Sequence, residues 1–271
     1  MRAAWLFPNP ATPIGSSAYY SVRLAPLELR DDLAALIAWR YQVRAILHEV
    51  SDPGVARLKL QWWREELERA DAGQPRHPLS QALAPVLARH RLPAGPFLQM
   101  AGRVEAEILR RQPPDDAAQA DDCERDLGAL FELLARCHGI TEQRTLSAAR
   151  CLGTFCARVY LIRDAGALIR QGRPVLPENR LRAQGLSAEA LRERAHRARL
   201  PTLLEASAEQ ASLLLAEARA VPLPLALRVR GRILEILLAE LATSDFQVTE
   251  QRIRLTPLRK LWLAWRESKR G

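Results

Sequence analysis

Apolar residues recur every three or four positions in long stretches of this chain, and only proline and glycine interrupt them, a pattern that leaves helices as its building blocks. Between Leu29 and about Val50 the set Leu33, Leu36, Ile37, Val43, Ile46 and Leu47 marks one helical face, closed by Asp52-Pro53. Pro53 suits a first helical turn, and a second face follows through Leu58, Leu60, Trp62, Trp63 and Leu67 to Gly73. Further helices are expected over 78–90, 96–111, 122–138, 142–169, 188–220, 223–243 and 257–269, with Pro201 breaking or kinking the 188–220 segment. Gly139, Gly172 and Gly185 fall between segments. The apolar residues are mostly Leu and Ala, and β-branched runs of strand length are scarce, so the fold class is all-α. Residues 1–15, with Pro8, Pro10, Pro13 and Gly15, read as an irregular lead-in to one domain over 16–271. Pro113-Pro114 and the acidic stretch Asp115, Asp116, Asp121, Asp122 read as a mobile, solvated loop carrying a helix N-cap.

A formal charge of +9, carried mainly by arginine, is compatible with an anionic membrane surface, a phosphorylated ligand or nucleic acid, or with an arginine-rich composition alone. No helix-turn-helix, zinc finger or RNA-binding signature is present, so no nucleic-acid partner is expected. Cys123, Cys137, Cys151 and Cys156 lack the C-x-x-C spacing of zinc or redox sites and are expected to be core thiols. No apolar run approaches the ~18 residues of a membrane span, and the N-terminus lacks the order of a secretory signal, which points to the cytoplasm.

Four groups of residues carry a family resemblance. Ser16-Ser17-Ala18-Tyr19-Tyr20 and the helix ending in His48-Glu49-Val50-Ser51-Asp52-Pro53 resemble the opening of squalene and phytoene synthases, and Lys59 to Leu67 (KLQWWREEL) resembles their next helix. Arg163-Asp164-Ala165-Gly166 with Arg170-Gln171-Gly172-Arg173 and Leu176-Pro177 is similar to the second signature, and Arg252 with Arg259-Lys260-Leu261 to the basic C-terminal end. The resemblance implies an isoprenoid (terpenoid) synthase-type helical bundle around a central cavity. In that fold two aspartate-rich segments hold Mg²⁺ against the diphosphates of prenyl substrates. Hard divalent cations bridged by carboxylates are suited to binding that leaving group.

The chain departs from the pattern where the metal would sit. Aligned without gaps, the two aspartates of the first motif fall on Arg44 and His48, and the extra aspartate falls on Ala45. A guanidinium cannot ligate Mg²⁺ and repels it. In the second motif Asp164 remains, but the next acidic positions fall on Ala167 and Leu168. Asp164 is therefore at most a weak metal or catalytic candidate, and a paired helical acid beside Arg163 is the competing reading. Arg44, Arg163, Arg170 and Arg173 would hold a phosphate directly if they face one cavity, with Tyr41 and His48 as further ligand-binding candidates. Against that, Arg170 and Arg173 at a helix end would sit in solvent.

The run Trp39 to Arg44 and the motifs after it look more like the degenerate branch that includes mitochondrial respiratory complex I assembly factors than like authentic synthases. That branch implies a non-catalytic protein binding a prenyl diphosphate or other isoprenoid lipid, or a membrane surface or membrane-protein partner, with no cofactor. It would be cytoplasmic and peripheral to the inner membrane. The alternative is an active head-to-head prenyltransferase using Mg²⁺ at an altered site. Near the C-terminus Leu258, Leu261, Trp262 and Trp265 form an apolar stripe beside Arg259, Lys260, Arg266, Lys269 and Arg270. Such a stripe suits either the last helix of a bundle or a helix lying on an anionic membrane.

Overall fold

A computed structural model describes residues 5–270, the side chain of Arg194 excepted, and contains helices and no strand among those residues. Residues 1–4 of the expected lead-in lie outside the described part. The rest of it is irregular yet firmly packed, with Asn9 Nδ2 donating to the carbonyls of Trp5 (3.0 Å) and Ala34 (3.1 Å). Ser16 then caps α1 (Ser17–Arg23), its Oγ accepting from the Tyr19 amide.

α2 (Arg30–Glu49) and α3 (Pro53–Asp71) follow the expected register, and Asp52 caps α3 with Pro53 in its first turn. α4 (Pro78–His90) and α5 (Gly95–Ile108) close this half around Trp39 and Phe97, whose rings meet edge to face at 5.1 Å.

The acidic connector differs from the expected loop. Asp115 does act as an N-cap, but it starts a helix, α6 (Asp116–Cys123), which passes through one π turn (Glu124–Gly128) into α7 (Ala129–Cys137). The alanines between the acids favour helix, and buried Gln119 pins α6 by donating to the Val175 carbonyl.

α8 (Gln143–Arg170) is buried on nearly all sides and touches α6, the π turn, α7, α11 and α12. Two glycines let backbone cross it closely: a Cβ at Gly153 would strike the Leu127 carbonyl, and one at Gly166 would strike the Val248 carbonyl. Next come two short helices, α9 (Glu178–Ala183), which periodicity had not indicated, and α10 (Arg194–Arg197). The single 188–220 helix expected from sequence is instead α11 (Leu200–Ala218) preceded by short turns. Pro201 sits in the first turn of α11, where its missing amide costs nothing, and so sets the start of the helix and not a kink. α12 (Leu225–Thr243) and α13 (Pro257–Ser268) complete the bundle, α12 lying against α1, α8 and α13.

Candidate functional site

Two neighbourhoods gather the residues that the sequence motifs singled out. The first is built on α2, where Arg40 and Arg44 are one turn apart and point at the π turn carrying Asp126. Arg40 grips Asp126 with both arms, Nε to Oδ1 at 2.7 Å and Nη2 to Oδ2 at 2.6 Å. Arg44 Nη1 lies 2.8 Å from Glu107 Oε1 on α5 and 3.4 Å from Asp126 Oδ2. Glu107 also faces Arg103 at 3.5 Å and Arg173 at 3.7 Å, while Arg103 reaches Asp122 at 3.6 Å. Arg173 is tied down further by donating to the Leu47 carbonyl at 2.6 Å.

Burial alone would raise the Asp126 pKa, but Arg40 and Arg44 overcome it and hold the acid well below the usual carboxylate range. Glu107 is likewise depressed, burial being outweighed by Arg44 and Arg103. For Arg44 the loss of solvent is more than offset by Asp126 and Glu107, so its affinity for the proton rises. Arg173 moves the other way, lowered first by burial and then by the positive charges of Arg44 and Arg110. Four arginines and three acids thus form an almost neutral knot, in which Arg103 Nη1 is left buried without a hydrogen-bond partner.

The second neighbourhood surrounds Asp164 on α8. Arg163 chelates it with Nε at 2.8 Å and Nη2 at 2.6 Å, and Arg252 does the same at 2.6 and 3.0 Å. Burial raises the Asp164 pKa, and these two guanidinium groups more than reverse that, leaving the acid depressed. Gly166 makes the arrangement accessible to Arg252, because segment 248–249 can cross α8 at that point without a Cβ in the way.

Arg163 also lies over the Tyr160 ring, 4.5 Å from its centroid, and the Tyr160 hydroxyl pairs with Ser17 Oγ at 2.8 Å. Beside them opens a cleft of about 150 Å³ whose cationic lining is Arg163, Arg252, Arg254 and Lys260, with Ile233, Leu234, Leu237 and Leu255 as its apolar wall. Lys260 is pulled below its ordinary pKa, first by burial and then by Arg163 and Arg254, against an opposing effect of Tyr160. With Asp164 as counter-charge, four cations leave an excess of three, and neither Arg254 nor Lys260 has a carboxylate within ion-pair distance among the described residues. A second cleft of about 280 Å³ lies between Arg197, Pro201, Phe246 and Glu250 and contains none of the motif residues.

The structure therefore divides the four arginines expected around one cavity. Arg44 and Arg173 meet at Glu107; Arg163 belongs to the Asp164 cleft; exposed Arg170 donates to the Thr249 carbonyl at 2.7 Å. Arg173 is not in solvent as a helix-end residue would be. Tyr41 points outward and is 47% exposed. His48 is also open to solvent, and its pKa is lowered by partial desolvation first and by Arg173 and Arg44 second.

The arrangement does not fit Mg²⁺. Glu49 pairs with Lys59, Glu105 with Arg64 and Arg57, and Glu107, Asp126 and Asp164 with the arginines above. Among the described residues no three His, Cys, Asp or Glu side chains converge to hold an ion. Asp164, the one motif carboxylate that remains, already has two guanidinium groups where a cation would stand. The cysteines do not supply ligands either: Cys123, Cys137 and Cys156 are buried, and burial pushes the Cys123 thiol up to about 11 and Cys156 up to about 12.

Asp126, Asp122, Arg40, Ser17, Arg254 and Lys260 had not been assigned to a site from sequence. The acidic connector is expected as a solvated loop, whereas the π turn aims Asp126 inward to Arg40. The i, i+4 pair Arg40/Arg44 was the one local sign that a buried acid was needed opposite α2.

Comparison with known proteins places this geometry. The sequence model described as squalene/phytoene synthase matches residues 12–259. Among curated proteins, phytoene synthase 1 of Arabidopsis thaliana chloroplasts is 27% identical over 179 residues, 63% of this chain and 42% of that protein. Presqualene diphosphate synthase of Sinorhizobium fredii is 26% identical over 180 residues, covering 66% of this chain and 64% of that one. The chain thus spans less than two thirds of the length of the relatives it matches. In three dimensions it is similar to a dehydrosqualene synthase crystallised with a ligand, with a TM-score of 0.79 at 19% identity, covering 94% of this chain and 91% of that one. It is also similar to squalene synthase HpnC of Alicyclobacillus acidocaldarius, with a TM-score of 0.75 at 21% identity over 87% of this chain and 92% of the other. These structural likenesses establish the fold.

Proposed function

Because the chain belongs to the squalene/phytoene synthase family, we propose that it uses the family fold to bind the phosphorylated head of an isoprenoid lipid without metal and without turnover. The observation that carries this reading is the pairing of Asp164, the one carboxylate left in the two motifs, with Arg163 and Arg252, next to a cleft with three surplus positive charges. Guanidinium groups match phosphate oxygens directly, and a compact cation such as Lys260 adds a point charge. An anion entering the cleft would relieve the crowding that lowers Lys260. At about 150 Å³ the cleft is smaller than the ~300 Å³ and more of sites that engulf a whole ligand, and it suits a phosphate or diphosphate head.

The reading places the chain in the degenerate branch of the family, with the complex I assembly factors. It puts the lipid at the cytoplasmic face of the inner membrane, on the bilayer or on a membrane protein. No step of ionisation is assigned to Asp164, which two arginines neutralise.

Incubation with farnesyl or geranylgeranyl diphosphate and Mg²⁺, followed by measurement of released diphosphate, tests the claim. No release, together with binding of a non-hydrolysable thio-analogue, is expected. Mg²⁺-dependent release would establish the active prenyltransferase instead.

A further inference from the structure

We infer that α13 is a docking face for an anionic bilayer, lying flat with two tryptophans at the headgroup level. Either reading of its apolar stripe was open from sequence, and the structure decides which side packs. Leu263 and Ala264 turn inward, 2% and 1% exposed, whereas Leu258, Leu261, Trp262 and Trp265 are between 50% and 78% exposed. At 100° per residue the two sets lie on opposite sides of the helix, so the last turn of the bundle presents its larger apolar face to the outside. Ile14, 77% exposed, lies at the same end, since neighbouring Gly15 packs on Pro257 and its carbonyl accepts from Lys260 Nζ.

Charge argues for a lipid surface. Arg266 flanks the stripe and Lys269 follows its C-terminal end, and neither has a carboxylate within ion-pair distance among the described residues. Arg266 instead covers the Trp262 ring, 5.2 Å from its centroid. Glu267, the acid of this helix, points inward, where Arg228 and Arg270 stand 3.8 and 3.7 Å away. Arg259 is compensated by Glu240 at 2.6 Å, but an exposed Trp/Leu face with Arg266 and Lys269 unpaired beside it is suited to phospholipid headgroups above an acyl boundary. No helix of the described residues is long and apolar enough to cross a membrane, so the contact would be interfacial. Lys260 lies on the same helix and lines the cationic cleft, which brings that cleft close to the surface on which a phosphorylated lipid would be met.

The inference rests on the proposed function only in giving the bilayer visit a purpose, and vesicles free of prenyl phosphates separate the two. Co-sedimentation of the full chain with phosphatidylcholine vesicles, with and without phosphatidylglycerol, is the test. Binding to the anionic vesicles is expected, weakening as salt rises, with little binding to the neutral ones. Trp262→Ser/Trp265→Ser should lower that affinity by at least about tenfold. Arg266→Gln/Lys269→Gln should lower it about fivefold per charge removed. Leu213→Ser, at an exposed leucine on α11, should leave it unchanged. All three variants alter exposed side chains, and unchanged helical circular dichroism verifies their folding. Absence of binding to anionic vesicles, equal binding to both vesicle types, or undiminished binding by the tryptophan variant would overturn the inference. So would a dimer in sedimentation equilibrium that the tryptophan variant dissolves, since it would give the stripe to a second copy of the chain.

Discussion

The Arg44 knot and the Asp164 cleft occupy the two places where the family resemblance implies metal-binding aspartates, yet they differ in almost every physical respect. The knot is closed: arginines and acids occur in nearly equal number, and guanidinium groups keep Asp126 and Glu107 ionised against the effect of burial, whereas at Asp122 burial outweighs Arg103 and raises the pKa. The cleft is open and unbalanced: one acid serves two arginines, and Arg254 and Lys260 remain without a carboxylate. A bundle with arginine among these acids must satisfy the two positions by ion pairing. It has done so once by internal pairing, which stabilises, and once incompletely, which leaves an appetite for an anion.

The largest effect should come from breaking the knot. Asp126→Asn leaves Arg40 and Arg44 facing each other with one carboxylate lost, and removal of one partner of a buried pair costs about 3 kcal/mol or more. Urea unfolding should show that loss, while affinity for farnesyl thiodiphosphate stays within about twofold of wild type. An equal fall in affinity would mean that the two regions are one site.

Arg44→Asp sharpens the comparison from the other side. It sets a third carboxylate beside Asp126 and Glu107, so the variant should be weakened in chelator and stabilised by about 2 kcal/mol when Mg²⁺ or Ca²⁺ is added well above its Kd. Thermal unfolding of the wild-type chain should not respond to either ion. A similar response in wild type would show a metal site despite the arginines.

In the cleft, Arg254→Ala and Lys260→Ala should each reduce thiodiphosphate affinity by about tenfold, the worth of a charge-assisted contact, with stability changed by less than ~0.5 kcal/mol. Arg170→Ala, whose guanidinium faces the Thr249 carbonyl, should leave the affinity unchanged.

The smallest effect is in pH. Asp126, Glu107 and Asp164 all have folded-state pKa values below their ordinary ones, so the unfolded chain binds more protons as pH drops below about 4. Their contribution is complete above that pH and is lost as pH falls through the folded-state values. Asp126→Asn should therefore show a shallower decline of stability over the acid range than wild type, measured by denaturant midpoint at successive pH values.

How much of this was legible in the sequence follows the range of the interactions involved. Helix starts at Pro53, Pro78 and Pro257 were local, because an N-cap and a first-turn proline mark themselves. The 188–220 segment was misjudged because Pro201 reads equally as a break or a beginning. The loss of the first motif was plain at Arg44 and His48. What replaced it was not, since Asp126 lies 82 residues from Arg44 and reaches it only through a π turn that no spacing rule marks. Arg252 likewise meets Asp164 across 88 residues because Gly166 has no side chain.

Calorimetric titration with farnesyl thiodiphosphate, once in EDTA and once in Mg²⁺, addresses the metal-free site most directly. If arginine and lysine do the binding, the two dissociation constants should agree within about twofold, a difference well under ~1 kcal/mol. Binding seen only in Mg²⁺ would contradict the reading, since it would require carboxylates that the structure shows already bound to arginine.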